Sequence, residues 1–419
     1  MSRGPKIGCI ADDYTGGTDV AAALRRQGLR TVLLFGAPGE GALTDECDAV
    51  VVALKSRALD AEAAVAMSLA AQHWLTAVAG VPTVYFKYCS TFDSTAAGNI
   101  GPVTDALLAA ARAPLSVVCP ATPEHGRTVY QGHLFVADQL LSESSMRHHP
   151  LTPMTDSYLP RLMAAQSPHP VKLIGWQDVR RGGAAIADAL RRAAGEGVRH
   201  VVLDALDDDD LLTIAGAVAG MPVITGAAGL AGAVGHVIAD HDQTEPAPPP
   251  LPAPAGASVV FAGSCSKTTL EQVAHARGRF ASLRLDPRTA ATPADLLGPA
   301  RAWLLEHLGD EPVMIYSSAP ADERGPADPD VANQLEATMG ALAKAAVAAG
   351  ARRVVVAGGE TSGAVVDALE VKSVVVDAEA DRGVPWCSTS DPRISLLLKS
   401  GNFGRPDLLV RAATSRTLS

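Results

Sequence analysis

The sequence contains few aromatic residues and few cysteines, and it has no long hydrophobic run. Aromatic residues make up 4% of the 419 residues although hydrophobic residues make up 47%, so we expect a core built mainly from Ala, Val and Leu. The six cysteines lie far apart and form no Cys-x-x-Cys pair, which argues against a structural zinc site or a redox pair. No apolar run could span a bilayer, and residues 1–11 do not resemble a signal peptide. We therefore expect a cytoplasmic globular protein with no membrane partner.

Basic residues are outnumbered by acidic ones. The chain has 35 Lys and Arg against 45 Asp and Glu, a formal charge of −10. Nucleic-acid-binding proteins usually present a basic face, so this balance argues against a nucleic-acid partner. An anionic small molecule is not excluded, because a local cationic pocket is enough to bind it. No pattern indicates the oligomeric state, and the sequence leaves a homo-oligomer open.

A proline-rich segment divides the sequence. Residues 243–256 read QTEPAPPPLPAPAG, and proline this dense forms neither a helix nor a central strand. The segment predicts a linker between an N-terminal domain, residues 1–242, and a C-terminal domain, residues 257–419. On both sides of it, short β-rich runs alternate with Ala-rich helical patterns. This alternation predicts an α/β fold of two domains, each a mainly parallel sheet covered by helices, with an interdomain cleft.

The expected strands are Ile7–Ala11, Thr31–Phe35, Ala49–Leu54, Thr83–Lys87, Ser116–Cys119, Val171–Ile174, His200–Asp204, Pro222–Thr225, Ser258–Phe261, Ser282–Leu285, Val313–Tyr316, Arg353–Val356 and Ser373–Val376. The expected helices are Thr18–Gln27, Ala61–Ala79, Ile100–Ala111, Ala184–Ala194, Asp209–Ala219, Lys267–His275, Pro293–His307, Asp330–Ala349 and Ser362–Leu369. Residues 120–160 are rich in His, Ser and Pro and interrupt the alternation. They predict a long, partly irregular insertion, and such insertions are often functional.

Two adjacent carboxylates follow the first predicted strand. The segment ADDYTGGTD, residues 11–19, places Asp12 and Asp13 at the carboxyl end of that strand, where open α/β sheets bind their ligands. Carboxylates there could bind sugar hydroxyls, hold a metal or act as a general base. Alternatively, they could cap the following helix and interact with its dipole. The position at the end of the first strand favours the functional interpretation and makes both residues candidate catalytic groups.

A second polar segment follows the predicted strand that ends at Lys87. It combines a cation, several hydroxyls and a carboxylate, an assortment that suits a small polyhydroxylated acid. The ordinary alternative is a capped loop, because Ser, Thr and Asp favour turns. Arg57 offers another cation at the same sheet edge, although a surface arginine is often merely solvated. The candidate substrate-binding residues are Arg57, Lys87, Ser90, Thr91 and Asp93.

The insertion supplies two further candidates. Arg127 could neutralise a phosphate or a carboxylate, and His133 could titrate near neutral pH. Both could equally be structural residues, and for His133 the structural interpretation is favoured. His148 and His149 have no third ligand at metal spacing, so the sequence identifies no metal ligands.

Three turns rich in small residues lie in the C-terminal domain, at residues 263–266, 358–363 and 399–404. Small residues let backbone N–H groups approach a ligand closely, and hydroxyls add donors. A phosphate-rich ligand needs that arrangement, and one shared ligand explains three turns better than coincidence does. The GxxxxGK[ST] spacing of a P-loop is missing, and the turn at residues 226–232 lacks GxGxxG. These absences argue against a P-loop enzyme and leave only weak support for a Rossmann dehydrogenase.

These segments together resemble the four-carbon acid sugar kinase family. The similarity runs nearly end to end through ADDYTGGTD, FKYCSTFDST, GNIGPV, PEHGRTVYQGHLFV, HHPLTPMTDS, GSCS, GGETSG, GVPW and KSGNFG. Within the family, KSR at 55–57, CSTFDST and HPLTPMTDS are most similar to the members that act on 3-oxo-tetronates. The resemblance implies a two-domain ATP-dependent kinase with an N-terminal site for the acid sugar. It also implies that ATP is surrounded by Ser264, Ser266, Gly358, Gly359, Glu360, Thr361, Gly401, Asn402 and Gly404.

The resemblance predicts a reaction. The γ-phosphoryl group of ATP would pass to the C4 hydroxyl of a 3-oxo-tetronate, assisted by Mg²⁺. Asp12 or Asp13 would be the base or would orient the hydroxyl, and the sequence does not choose between them. The nearest alternative is a threonate or erythronate 4-kinase. Alternatives of other classes are a dinucleotide-dependent sugar-acid dehydrogenase and a non-catalytic sugar-acid sensor.

Overall fold

A computed structural model describes residues 4–39, 42, 46–149, 152–241, 252–289, 293–324, 328–390 and 392–415. The chain divides into two compact units, Met1–Ala247 (unit 1) and Pro248–Ser419 (unit 2). Residues 243–251 of the expected linker lie outside the described residues. The linker, its boundaries and the interdomain cleft therefore stay predictions.

Unit 1 contains a parallel sheet in the order β2-β3-β1-β4-β11-β5-β10-β9. Its strands are short and rich in Val, Ile and Leu, and most are buried along their whole length, which is typical of parallel sheets covered on both faces. The strands of the unit are β1 (Ile7–Ala11), β2 (Thr31–Phe35), β3 (Ala49–Ala53), β4 (Val84–Lys87), β5 (Ser116–Cys119), β6 (Arg127–Tyr130), β7 (His133–Val136), β8 (Gln139–Leu140), β9 (Val171–Ile174), β10 (His200–Leu203) and β11 (Val223–Gly226).

The described helices of unit 1 are α1 (Tyr14–Arg26), α2 (Ala61–His73), α3 (Ile100–Ala111), α4 (Leu159–Ala164), α5 (Trp176–Val179), α6 (Gly183–Gly195), α7 (Asp208–Val218) and α8 (Ala228–His241). One π-helical turn, Trp74–Val78, extends α2. Helix α8 packs against both α1 and α7. The sequence interpretation missed α8 because its glycines lower helix propensity. Tertiary packing requires one of these glycines, because a Cβ at Gly229 would lie 2.6 Å from the Ala121 carbonyl oxygen.

The insertion at residues 120–160 is more regular than the sequence predicts. Strands β6, β7 and β8 form a separate antiparallel sheet. Gln131 and Gly132 connect β6 to β7, and both have positive φ (49° and 73°). Two such residues make the tight turn that matches strand twist. Asp204, at the end of β10, accepts hydrogen bonds from both of their backbone N–H groups (2.6 and 2.8 Å), so the main sheet holds this hairpin in place.

Unit 2 contains a mainly parallel sheet in the order β13-β14-β12-β15-β18-β17-β16, in which β17 runs antiparallel to both of its neighbours. The strands are β12 (Ala257–Ala262), β13 (Ala281–Arg284), β14 (Val313–Tyr316), β15 (Ala351–Ala357), β16 (Ser373–Asp381), β17 (Val384–Ser388) and β18 (Ser395–Lys399). The described helices are α9 (Lys267–Arg277), α10 (Pro293–His307), α11 (Ala321–Arg324), α12 (Pro329–Ala348), α13 (Gly359–Ala368) and α14 (Leu408–Thr414).

The α/β fold class is confirmed, since each unit is a mainly parallel sheet with packed helices. Every strand expected from the sequence corresponds to an observed strand. The strands that were not expected are β6, β7, β8, β17 and β18, and the helices that were not expected are α4, α5, α8, α11 and α14. Helix α1 begins at Tyr14 rather than at Thr18, because Asp13 caps it. Among the described residues, no helix is long and apolar enough to cross a membrane.

Candidate active site

Three neighbouring parallel strands of unit 1 end at one edge of the sheet. Ala11 of β1 is in register with Ala53 of β3 and with Lys87 of β4. Asp12 and Asp13 follow β1, and Arg57 follows β3 by a short turn. The sheet topology therefore brings these four charged side chains together. Their positions at or after the ends of strands predicted this.

Asp13 has the capping role that the sequence left open. It is the N-cap of α1, and its side chain accepts hydrogen bonds from Gly16 N (2.9 Å) and from the Thr15 hydroxyl (2.7 Å). The Asp13 side chain is 22% exposed, whereas that of Asp12 is 4% exposed. This capping role is compatible with a catalytic one, because the Asp13 side chain remains partly exposed at the sheet edge.

Arg57 joins the two carboxylates. Its Nε and Nη2 atoms donate to the two oxygens of Asp12 (2.9 and 2.7 Å), and Nη2 also donates to Asp13 Oδ1 (2.6 Å). Burial raises the pKa of Asp12 above its ordinary value, against the opposing effect of Arg57. Burial also opposes ionisation of Asp13, but the charges of Arg57 and Lys87 outweigh it and hold the pKa of Asp13 below its ordinary value. The two adjacent carboxylates therefore differ in proton affinity.

Lys87 is the second cation near Asp13. Its Nζ is 3.7 Å from Asp19 Oδ2, and both side chains are almost completely buried. A Cβ at Gly16 would overlap Asp13 and Lys87, which shows how closely these groups are packed. Burial raises the pKa of Asp19 to about 6, with Lys87 opposing the shift and Glu124 and Asp13 adding to it. The sequence interpretation gave Asp19 no role. The signal that could have drawn attention to it is a carboxylate at the end of ADDYTGGTD, directly before the apolar run VAAAL.

Asn99 is another residue that the sequence interpretation did not single out. Its side-chain amide donates to the carbonyls of Ser56 (2.8 Å), Arg57 (3.3 Å) and Leu59 (3.0 Å). These bonds fix the turn that carries Arg57. The signal in the sequence is the polar GNIG segment immediately before α3.

The loop after Lys87 is held in an unusual backbone conformation. Phe92 and Asp93 have positive φ (64° and 39°), which non-glycine residues seldom adopt without a structural reason. The Thr91 hydroxyl donates to Asp93 Oδ1 (2.7 Å), and Cys89 Sγ lies 3.0 Å from the same hydroxyl. Thr91 and Asp93 are buried, whereas Ser90 is half-buried in the same loop.

Arg127 is not joined to this cluster. It begins β6 and donates from Nη1 to the His125 carbonyl. In the described part of the chain it makes no hydrogen bond or ion pair with Asp12, Asp13, Arg57 or Lys87. Its role in substrate binding stays a prediction.

The three small-residue turns of unit 2 also follow adjacent strands. Ala262 of β12 is in register with Ala357 of β15, which is in register with Lys399 of β18. Backbone bonds link the turns, because Gly263 N and Ser264 N donate to the Ala357 carbonyl (3.0 and 3.2 Å) and Gly358 N donates to that of Lys399 (2.9 Å). The turns therefore form one continuous edge.

Side-chain contacts also join these turns. Ser266 is the N-cap of α9, and its hydroxyl also donates to the Gly401 carbonyl (2.6 Å). A Cβ at Gly401 would overlap Ser264 Oγ, and one at Gly263 would overlap Thr361 Oγ1. Gly358 has φ +128°, and α13 begins directly after it. Glu360 and Asn402 are exposed at the rim, and Gly404 has φ +85°.

Lys399 and Gln272 donate hydrogen bonds to backbone carbonyls of the last turn. The sequence interpretation assigned a role to neither of them. Lys399 is completely buried, and its Nζ donates to Thr269 Oγ1, Gln272 Oε1 and the carbonyls of Gly401 and Phe403 at 2.6–3.1 Å. Gln272 Nε2 donates to the carbonyls of Phe403, Gly404 and Arg405 at 3.0–3.1 Å. The sequence signal for Lys399 is its position directly before a glycine-rich turn. This signal was overlooked because β18 was not expected.

The donors at this edge suit phosphate better than a directly bound metal. Backbone N–H groups, hydroxyls and the start of a helix favour an anion. Glu360 is the carboxylate of these turns, and among the described residues no group of three or more His, Cys, Asp or Glu side chains could hold a metal ion. Mg²⁺ needs only one or two carboxylates when phosphates supply the other ligands, so these residues fit a metal that arrives with a nucleotide.

Comparisons with known proteins agree with this division of the chain. Residues 7–234 match a family model described as a sugar-binding N-terminal domain, and residues 259–409 match one described as a nucleotide-binding C-terminal domain. The chain is 47% identical over 420 residues to the 3-oxo-tetronate kinase of Burkholderia multivorans, which covers 97% of this chain and 96% of the relative. This chain belongs to the four-carbon acid sugar kinase family. It is most similar there to 3-oxo-tetronate kinases, and it is a kinase that acts on a sugar acid.

Further relatives extend the family match. The 3-oxo-tetronate kinase of Cupriavidus necator is 46% identical, with 98% of this chain and 97% of the relative covered. The crystal structure of a Salmonella typhimurium protein superposes with a TM-score of 0.87 at 41% identity, covering 98% of this chain and 99% of that one. A Haemophilus influenzae protein gives 0.78 at 37% identity, covering 97% and 98%. Membership of the family favours the kinase hypothesis over the dehydrogenase and sensor alternatives.

Proposed function

We propose that the enzyme transfers the γ-phosphoryl group of ATP to the C4 hydroxyl of a 3-oxo-tetronate and releases ADP and the 4-phosphate. The observation that carries the proposal is the match, over nearly the whole chain, to relatives named 3-oxo-tetronate kinase. The charged cluster of unit 1 and the glycine-rich edge of unit 2 supply the two kinds of site that this reaction needs.

Unit 1 offers groups for both ends of a sugar acid. Lys87 and Arg57 are the cations that would attract its carboxylate. Ser90, Thr91 and Asp93 would bind its hydroxyls, and the unusual backbone of their loop supports a binding role for it. Arg127 is a separate candidate, because among the described residues it makes no hydrogen bond or ion pair with this cluster.

Asp13 is the better candidate for the group that accepts the proton. Asp12 has both oxygens engaged by Arg57 and is nearly inaccessible, which suits the positioning of Arg57. Asp13 is more exposed and is held ionised by its neighbours. In the transfer, the C4 oxygen forms a bond to the γ-phosphorus, the bond from that phosphorus to the β–γ bridging oxygen breaks, and the hydroxyl proton passes to the Asp13 carboxylate.

Unit 2 is the proposed nucleotide site. Backbone N–H groups of the turns at Gly359 and Asn402, with the hydroxyls of Ser264 and Thr361, would bind the phosphates. Ser266 would hold the turn at Gly401 beside them through its hydrogen bond to the Gly401 carbonyl. Glu360 would hold Mg²⁺ together with the phosphates. The metal would neutralise charge on the transferring group.

The test is an ADP-release assay on the purified enzyme with a panel of four-carbon sugar acids. We expect the highest kcat/KM for a 3-oxo-tetronate and a lower value for threonate and erythronate, because the 3-oxo group changes one hydrogen-bond partner. Equal or higher kcat/KM for threonate or erythronate would select the neighbouring kinase activity instead. Turnover no faster than ATP hydrolysis without an acceptor, for every acid, would overturn the proposal.

A further inference from the structure

Lys399 is a buried cation without an anionic partner. Its Nζ contacts two neutral side chains and two backbone carbonyls, and in the part of the chain that the structure describes no carboxylate forms an ion pair with it. Burying an uncompensated charge is costly. Burial accordingly lowers the pKa of Lys399 to about 7. A neutral residue with hydrogen-bond donors could hold the turn at lower cost, so the charge itself needs an explanation.

The hydrogen bonds of Lys399 orient the backbone carbonyl and N–H groups of the following turn, residues 401–404. The carbonyls of Gly401 and Phe403 point at Nζ. In a trans peptide the C=O and the following N–H point in opposite directions, so the N–H groups of Asn402 and Gly404 point away from Lys399. Neither N–H has a hydrogen-bond partner among the described residues. The ammonium group thus turns two backbone donors outward, an arrangement that binds anions.

The described charged residues near Lys399 either form ion pairs with other groups or make no bond to its Nζ. Arg405 and Arg411 both pair with Asp381, and Arg411 also pairs with Asp407. Within the described ranges, Nζ makes no bond to the charged residues of α9 or to Glu360 of α13. An anion bound by the outward N–H groups would therefore be the nearest source of compensating negative charge.

We propose that Lys399 is a positioning residue for the nucleotide phosphates, which orients the 401–404 turn and supplies an unpaired positive charge beneath it. The inference rests on the proposed nucleotide site and extends it to a buried residue. A residue that only stabilised the fold would affect all ligands of unit 2 equally. A charge that serves phosphate would affect each ligand according to its negative charge.

The experiment measures dissociation constants of adenosine, AMP, ADP and ATP by calorimetry for the wild type and for Lys399→Met. We expect a loss that grows along the series, less than about twofold for adenosine and at least about tenfold for ATP. Lys344→Met is the matched control, because it removes an exposed lysine of the same unit that pairs with Glu370; its four constants should match those of the wild type.

A second variant keeps the test decisive if Lys399→Met fails to fold. Lys399→Gln retains N–H donors for the carbonyls of the turn but removes the charge, and the same growing loss is expected. Equal losses for adenosine and ATP, or no loss at all, in the folded variant would overturn the inference. A wild-type enzyme that binds none of the four ligands would instead overturn the nucleotide site itself, so the two failures can be distinguished.

Discussion

At the scale of single residues, the site of unit 1 is a balance of buried charges. Arg57 satisfies both oxygens of Asp12, whereas Asp13 shares its oxygens among a helix cap, a hydroxyl and the same arginine. Identical side chains one residue apart therefore have pKa shifts of opposite sign. No sequence pattern separates them, because the difference comes from which atoms face each oxygen.

The role of Asp13 can be tested with a substitution that preserves the helix cap. Asn is as good an N-cap as Asp, so Asp13→Asn should keep the bond from Gly16 while removing the proton acceptor. We expect turnover to fall by about 10²- to 10⁴-fold, with the dissociation constant of ADP unchanged. Steady-state assays and calorimetry measure the two quantities.

Asp60→Asn is the control for the cap. Asp60 is the exposed N-cap of α2 and accepts from Ala63 N (2.9 Å), so this variant should behave like the wild type. If Asp13→Asn retained most of its turnover, Asp13 would be removed from the proton transfer and its effect reduced to capping.

At the scale of elements, both candidate sites are built from turns that follow adjacent parallel strands. The alternation of strands and helices predicted the positions of most of these turns, and Asp12, Asp13, Lys87 and Gly358 were identified that way. Strand β18 was missed because its SLLLK run follows an irregular segment and precedes a glycine-rich turn. Its neighbours in the sheet are β15, which is distant in the sequence, and β17, which runs antiparallel to it. A local sequence pattern reveals neither pairing.

Close packing between turns gives a prediction for Gly401. A Cβ there would overlap Ser264 Oγ and lie 3.2 Å from Ser266 Oγ. Gly401→Ala should therefore displace the two serines and weaken ADP binding by roughly 1.5–3 kcal/mol, the net contribution of one hydrogen bond to a charged group. Calorimetry with ADP measures this loss, and sugar-acid binding to unit 1 should be unaffected.

Gly309→Ala is the matched control, because Gly309 also lies outside helices and strands in unit 2 and its Cβ would meet no atom within 4 Å. It should bind ADP like the wild type. Unchanged ADP affinity in Gly401→Ala would show that the nucleotide does not depend on this edge.

At the scale of the whole molecule, the two units differ in the partners of the cations at their candidate sites. In unit 1 the cations Arg57 and Lys87 are paired with carboxylates. In unit 2 the partners of Lys399 among the described residues are all neutral. The cations of unit 1 have carboxylate partners within the protein, whereas Lys399 would gain an anionic partner from a bound ligand.

This difference predicts a pH dependence of stability. The pKa of Lys399 is lowered to about 7 in the folded state and is about 10.4 in an unfolded chain. Between these values the unfolded state binds more protons, so the free energy of unfolding rises with pH, by at most about 1.4 kcal/mol per pH unit. This contribution is complete above the unfolded pKa and is lost as the pH falls towards 7.

Urea unfolding of the ligand-free wild type and of Lys399→Met at several pH values from 7 to 9 measures the effect. The wild type should gain stability relative to Lys399→Met as the pH rises. Parallel curves would show that Lys399 keeps an ordinary pKa in the folded protein.

The α/β class, most strands and helices, and the positions of the polar turns could be predicted from the sequence, because they follow from short-range periodicity and from residue preferences in turns. The similarity of its motifs determined the family. The contacts between these residues became visible in the folded chain: Arg57 with both aspartates, Lys87 with Asp19, Asn99 with the turn that carries Arg57, and Lys399 with the last glycine turn. Those contacts join residues far apart in the chain, and they depend on strand order and register, which local sequence patterns do not specify.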